Sequence, residues 1–178
     1  KGVFYKKNSN KEFFAKDSTY QLYYHKIGDI QSKDQLVFDT SNTKSNFSFF
    51  TKQNKLFIVE TSEDETTKNY YYSTIENESF QFKNFIKDDK SNLELLNIIN
   101  DKFYFSDEKY SWGNISYFDI NNRTENTILI PQVYSHLLVG ATFLENYIIC
   151  KYDNMGKYYM SIHDYTGKFI RKFEAPHN

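Results

Sequence analysis

The chain has 178 residues, 39% hydrophobic and 25% charged, which is enough to bury the core of one or two domains. Its net charge of −1 argues against a surface that binds nucleic acid or an anionic membrane. No run approaches the ~20 apolar residues that span a bilayer, so a membrane-spanning helix is not expected.

Four short aromatic-rich strands recur about every 45 residues. The runs KEFFA, KLFIV, KFYFS and NYIIC begin at residues 11, 55, 102 and 146. A second series, LYYH, YYYS, ISYF and MSIH, begins at residues 22, 70, 115 and 160 and keeps the same period. A period of roughly 40–50 residues with four strands per unit is typical of β-propeller blades. The sequence therefore predicts an all-β chain, a β-propeller fragment of about four four-stranded antiparallel blades.

In chain order, the predicted blades occupy residues 1–41, 42–89, 90–132 and 133–178. In the first blade we expect strands at residues 2–6, 12–16, 21–27 and 34–39, and in the second at 46–51, 55–61, 69–76 and 80–87. The third should have strands at residues 92–99, 102–107, 114–120 and 126–130, and the fourth at 137–143, 146–152, 157–164 and 168–173. Residues 91–99 also have the serine start and Leu/Ile spacing of a short helix, but the repeat favours a strand.

The sequence lacks the motifs of several catalytic and cofactor-binding sites. Among its six glycines no two fall within four residues, which excludes the G-x-S-x-G nucleophile elbow, the P-loop and the dinucleotide fingerprint. The histidines lack zinc-ligand spacing, and we interpret His25 and His163 as strand-face residues at equivalent repeat positions. His163 and Asp164 should point to opposite faces of a strand, so they should not form a catalytic pair. We expect no catalytic residue, metal or cofactor in this chain.

The single cysteine, Cys150, excludes an intrachain disulfide. It lies in an apolar run, where we expect a buried and unreactive thiol. This weakly favours a reducing compartment, so we expect a cytoplasmic location, and a periplasmic one stays open. The chain has no initiator methionine and begins in a strand-like run, as an excised part of a larger protein would.

Several stretches resemble the propeller domain of the prolyl oligopeptidase family. LYYHKIG at residues 22–28 and QSKDQLVF at residues 31–38 are similar to the family's V-Y-Y-H-R-L-G-T-x-Q-S-E-D-x-L-V-Y. Residues 1–14 resemble G-I-A-W-T-K-D-G-K-G-F-F-Y, and residues 62–72 resemble I-S-E-G-T-D-P-V-N-R-L-Y-Y. IHDYTG at residues 162–167 is similar to L-H-D-L-x-T-G. The matches are collinear, although the third blade is matched mainly by length.

The resemblance implies a seven-bladed propeller that caps a separate α/β-hydrolase domain. In that family the hydrolase carries the Ser-Asp-His triad and cleaves short peptides after proline, while the propeller restricts access. This chain would then be a non-catalytic, substrate-gating part of a serine oligopeptidase. Its partners would be the hydrolase domain and short proline-containing peptides.

Two residues map to substrate-facing positions of the family. Phe14 falls where a pocket-lining phenylalanine is expected, and a plain core aromatic is the alternative. Ser62 falls at a loop position that holds Arg or Ser, but Asp64 replaces the family's Gly and no Pro follows. The shape of this loop therefore departs from the family pattern.

Two other functions remain open at this stage. A stand-alone propeller would bind a protein or peptide, and an enzyme with its site on a propeller face would need converging carboxylates or histidines that the sequence does not provide. Four blades cut from a ring would also expose apolar strand surface at both ends, so we expect self-association, closure into a smaller ring or an open arc.

Overall fold

The computed structural model describes residues 1–8, 19–76, 78–90 and 93–174. Among these residues are fifteen β-strands and one 3-10 turn at Gln31–Lys33, with no α-helix. The chain divides into two compact units, residues 1–90 and 91–178. Each unit contains two antiparallel sheets, which confirms the predicted all-β class.

The first unit contains a three-stranded sheet and a four-stranded sheet. The first sheet has β1 (Gly2–Asn8), β2 (Tyr20–Lys26) and β3 (Gln35–Asp39); the second has β4 (Asn46–Lys52), β5 (Lys55–Thr61), β6 (Lys68–Thr74) and β7 (Lys83–Asp89). Within each sheet the strands lie side by side in chain order, as in a propeller blade.

The first sheet differs from the predicted order. β1 pairs directly with β2 along an unbroken register from Gly2 opposite Lys26 to Asn8 opposite Tyr20. No strand can therefore lie between them, and the expected order with 12–16 in second place is wrong. The predicted strand at 12–16 itself lies outside the described residues. The order of strands depends on contacts across the sheet, which the composition of the repeat does not specify.

Tight hairpins connect the first two strands of two of the four-stranded sheets. Gln53 and Asn54, between β4 and β5, have φ values of 48° and 58°. Asn100 and Asp101 hold the equivalent place in the second unit, with φ values of 49° and 61°. Two consecutive residues with positive φ are typical of type I′ turns, whose twist matches that of the flanking strands. Asn and Asp tolerate this conformation, so these turns need no glycine.

The core of the first unit lies between its two sheets. Leu22 of β2 packs with Phe47, Leu56 and Ile58 of the second sheet. Phe38 extends this core through edge-to-face contact with Phe47, at a ring-centroid distance of 5.4 Å. Residues at alternate positions of each strand point into this core, as the period of two requires.

The second unit has two four-stranded sheets. The first has β8 (Glu94–Ile99), β9 (Lys102–Ser106), β10 (Ile115–Asp119) and β11 (Asn122–Ile130); the second has β12 (Leu137–Phe143), β13 (Ile148–Asn154), β14 (Lys157–His163) and β15 (Phe169–Glu174). β8 confirms the strand that the repeat predicts in place of a helix. Tyr104, Ile115, Ile130, Ile148 and Cys150 form the common core of these sheets.

In β1–β3 and β12–β15, the face away from the core of the unit carries exposed apolar side chains, and among the described residues of that unit this is the uncovered face. In β1–β3 the face opposite the core carries Val3 and Leu36, which are 53% and 46% exposed. In β12–β15 the corresponding face carries Met160 and Phe173, which lie opposite each other and are 46% and 41% exposed. Exposed apolar strand surface of this kind favours association.

Candidate functional site

Ser62 lies in the turn between β5 and β6, as the sequence predicts. Its hydroxyl donates to Asp64 Oδ1 at 2.6 Å and accepts the backbone N–H of Thr67 at 3.0 Å. Asp64 Oδ1 also accepts the Thr66 backbone N–H at 3.2 Å and the Thr66 hydroxyl at 2.9 Å. The Ser62 hydrogen bond is the largest cause that holds the pKa of Asp64 below its usual range. Asp64, which departs from the family pattern, thus organises this turn.

Phe14, the other predicted substrate-facing residue, lies outside the described residues. The structure therefore does not test whether Phe14 and Ser62 lie together, and their role stays a prediction.

A buried carboxylate lies close to the Ser62 turn. Glu60, at the end of β5, is 7% exposed. Its Oε1 accepts the Ser45 hydroxyl at 2.5 Å and lies 3.2 Å from Thr43 Oγ1, while its Oε2 accepts the Tyr71 hydroxyl at 2.8 Å. Sequence reasoning missed this cluster. A signal was present, because Leu56, Ile58 and Glu60 alternate and must share the core-facing side of the strand.

A second cluster lies on the uncovered face of β1–β3. Asp34 accepts the Tyr5 hydroxyl at 2.6 Å and lies 2.6 Å from Nδ1 of His25. The Asp34 side chain is only 5% exposed. The hydrogen bond from Tyr5, followed by that from His25, lowers the pKa of Asp34. The cluster fixes the 3-10 turn against the sheet, and it contains no serine or cysteine to act as a nucleophile.

His163 has a different environment from His25. Nε2 of His163 lies 2.9 Å from the Ser161 hydroxyl and Nδ1 lies 3.2 Å from the Gly167 carbonyl oxygen. Since a carbonyl only accepts, Nδ1 carries the proton in the neutral ring and Ser161 donates to Nε2. His163 is buried at 9% exposure on the core side of its sheet, whereas His25 lies on the uncovered side. Both are strand-face residues, as the sequence predicts. They lie on different sides relative to the core because β1–β3 is the first sheet of its unit and β12–β15 is the second, so this difference does not contradict their equivalence in the repeat.

Asp164 does not contact His163 by hydrogen bonding. Its Oδ1 accepts the backbone N–H groups of Thr166 at 2.8 Å and Lys168 at 3.1 Å. This agrees with the expectation that the two neighbours form no catalytic pair. None of the three histidines that the structure describes is hydrogen bonded to both a serine and a carboxylate. A Ser-His-acid triad is thus not assembled within the described ranges.

Cys150 is fully buried, as the sequence predicts. Burial raises the pKa of its thiol to about 12, so the reactive thiolate is suppressed at neutral pH. Among residues 1–8, 19–76, 78–90 and 93–174, no group of three or more His, Cys, Asp or Glu side chains is placed to hold a metal ion. Within the same part of the chain, no helix has the length and apolar character to cross a membrane.

Solved structures of prolyl oligopeptidases have a similar fold. Prolyl oligopeptidase B from Galerina marginata, bound to a 25mer macrocyclization substrate, is 12% identical with a TM-score of 0.77; the match covers 96% of this chain and 26% of that one. A prolyl endopeptidase is 16% identical with a TM-score of 0.77, over 99% of this chain and 27% of that one. Oligopeptidase B from Leishmania major is 10% identical with a TM-score of 0.69, over 98% and 26%.

At these identities the solved structures show a common fold, and this chain spans about a quarter of their length. No curated protein sequence matches the chain. The family model for the prolyl oligopeptidase N-terminal β-propeller domain, however, matches residues 1–178. Because that match extends over the whole chain, the protein belongs to the prolyl oligopeptidase N-terminal β-propeller family.

Proposed function

We propose that this chain is the substrate-gating, non-catalytic part of a serine oligopeptidase whose hydrolase domain lies elsewhere in a longer protein. The main support for this proposal is the family match over residues 1–178. Two further observations support the proposal. The chain spans about a quarter of the similar peptidases, and no described histidine is hydrogen bonded to both a serine and a carboxylate.

The substrates we propose are short peptides that contain proline. The similar protein from Galerina marginata is bound to a 25mer macrocyclization substrate, and a substrate of this length supports a short chain rather than a folded protein as the ligand. On the propeller side, Ser62 lies in an exposed turn and Phe14 maps to a pocket-lining position of the family. Because the Ser62 hydroxyl already holds Asp64 and Thr67, we propose that the shape of this turn contributes more than the hydroxyl itself.

The purified chain is expected to show no turnover of a fluorogenic proline peptide above the buffer rate. The physical reason is that a nucleophile, its base and an orienting carboxylate are needed together for peptide hydrolysis. The matched control is the full-length gene product, which should cleave the peptide and become labelled by a fluorophosphonate that reacts with active serines. Turnover by the purified chain that the same reagent abolishes would contradict the proposal.

Gating is tested with the full-length product and two substrates. A ten-residue proline peptide should be cleaved, and the same peptide placed in an internal loop of a folded carrier should be cleaved at least tenfold more slowly. Equal rates would contradict gating. A reading frame without a hydrolase sequence would instead favour the stand-alone binding propeller.

We also propose that the isolated chain self-associates through the uncovered face of β12–β15. Replacement of Met160 by glutamate should shift sedimentation at high protein concentration towards the monomer, because a charge interrupts the apolar pair with Phe173. Met155→Glu is the matched control, since Met155 is 90% exposed in a turn away from that pair. A chain that is strictly monomeric at high concentration, or equal shifts for both variants, would contradict this proposal.

A further inference from the structure

The second unit contains an apolar cavity of about 260 Å³. One wall is formed by the end of β11 and the loop that follows it. The other wall is the core-side face of β13, β14 and β15. Its walls are apolar and aromatic: Ile130, Val133, Tyr152, Tyr159 and Phe169. An apolar cavity of roughly 150 Å³ is known to hold a benzene ring, so this volume is sufficient for one ring with a substituent.

The cavity lining contains basic side chains but no carboxylate. His136, His163 and Lys172 contribute to the lining, and no Asp or Glu does. Nδ1 of His136 lies 2.7 Å from the Tyr159 hydroxyl, and both nitrogens of His163 are engaged with Ser161 and Gly167. Lys172 is the ammonium group of this lining, and its exposed partner can be exchanged for an added anion.

Lys172 lies at the rim of the cavity. Its Nζ is 4.3 Å from the centre of the Tyr159 ring, a distance at which the ring holds the ammonium group over its face. The same Nζ is 2.8 Å from Glu174 Oε1. This hydrogen bond raises the pKa of Lys172, so the ammonium form is retained at neutral pH. The Lys172 and Glu174 side chains are 43% and 66% exposed, and an exposed pair of this type is weak and readily exchanged.

We propose that this cavity binds a small aromatic monocarboxylate. The ring lies between Tyr152, Tyr159 and Phe169, and the carboxylate replaces Glu174 as the partner of Lys172. Charge complementarity selects the anion, and the cavity volume selects a single ring. This site is independent of the proposed gating function.

Benzoate is the probe, titrated into the purified isotope-labelled chain and followed by amide chemical shifts. We expect saturable shifts at residues 159–163 and 169–172 with a Kd of about 1 mM, as the few atoms of this ligand allow. Benzyl alcohol, with the ring but without the charge, should bind at least fivefold more weakly. Acetate, with the charge but without the ring, should cause no saturable shift at the same concentration.

Variants of Lys172 and Glu174 test the role of this ion pair at the rim of the cavity, and a variant of Lys157 is the control. Lys172→Met should weaken benzoate binding at least fivefold and leave benzyl alcohol unchanged, whereas Lys157→Met, which removes the same charge at the start of β14, should leave both unchanged. Glu174→Gln should tighten benzoate binding about twofold, because it removes the competing carboxylate. The Glu174 variant retains the lysine, so it also tests the proposal if Lys172→Met does not fold.

The proposal is overturned by equal binding of benzoate and benzyl alcohol, by weaker benzoate binding in Glu174→Gln, or by shifts that do not saturate. Equal loss of benzoate binding in the Lys172 and Lys157 variants would also overturn it, because a general charge effect would then explain the affinity.

Discussion

Replacement of Gly167 by alanine is expected to lower the free energy of unfolding by about 3 kcal/mol, a large single-site effect. Gly167 has a φ of 85° in the turn between β14 and β15, a conformation that L-residues avoid at a cost of about 1–2 kcal/mol. A Cβ at this position would also overlap the carbonyl oxygen of Leu129 on β11. Since the obstacle is backbone, the turn itself would have to move.

That movement would affect further contacts. The Gly167 carbonyl accepts from Nδ1 of His163, and the Gly167 N–H donates to the Asp164 carbonyl at 3.0 Å. The measurement is denaturant unfolding with a thermal scan, in which about 3 kcal/mol corresponds to a fall in Tm of roughly 6–12 °C for a chain of this length.

Gly156 provides the matched control. It also has a positive φ, 84°, in the turn between β13 and β14, but an added Cβ there meets no atom within 4 Å. Gly156→Ala should therefore cost only the backbone strain, about 1 kcal/mol. The difference between the two variants isolates the contact with Leu129. Equal losses in the free energy of unfolding for the two variants would contradict this prediction. They would show that the Gly167 turn can move away from Leu129 without loss of stability.

Much of the local structure follows from the sequence. The strand at 94–99 competes with a helix in composition alone, yet the period of the repeat indicates its true state. The turn at Asn100 and Asp101 is likewise predictable, because these residue types tolerate positive φ between two strand patterns. Such features depend on a few neighbouring residues.

The pairing of strands is harder to predict. β1 and β2 pair directly, although eleven residues separate them in the sequence, and the composition of the repeat does not indicate this pairing. The repeat also does not show that His25 lies on the uncovered side of its sheet and His163 on the core side, because this depends on whether the sheet is the first or the second of its unit. Strand pairing and the packing of sheet faces depend on contacts between whole strands, not on a few neighbouring residues.

At the candidate site, the positions of Ser62 and Glu60 could be predicted from the sequence, whereas their hydrogen-bond partners could not. The position of Ser62 in a turn follows from the strands around it, but its hydrogen bonds depend on Asp64, which departs from the family pattern. The alternation of β5 shows that Glu60 faces inward. It does not show that Ser45, fifteen residues earlier, and Tyr71, on the next strand, supply the hydroxyls that a buried carboxylate needs.

Replacement of Glu60 by leucine is the second substitution with a large expected effect, a loss of about 2–4 kcal/mol in the free energy of unfolding. Leucine has a similar size but accepts no hydrogen bond, so the Tyr71 hydroxyl and the hydrogen-bonded hydroxyls of Ser45 and Thr43 lose the carboxylate that they share. Glu63→Leu is the matched control, because Glu63 is exposed in the adjacent turn and should change stability by less than about 0.5 kcal/mol.

A double-mutant cycle separates the hydroxyl contact from simple burial. Tyr71→Phe alone should cost about 1 kcal/mol, because Glu60 retains the Ser45 hydroxyl. In the Glu60→Leu background the same change should cost less than in the parent chain, since the Tyr71 hydroxyl no longer donates to the Glu60 carboxylate. Denaturant unfolding of the four proteins gives the coupling energy. Strict additivity would mean that water satisfies the Tyr71 hydroxyl once Glu60 is gone, and the carboxylate would then contribute through Ser45 and Thr43 alone.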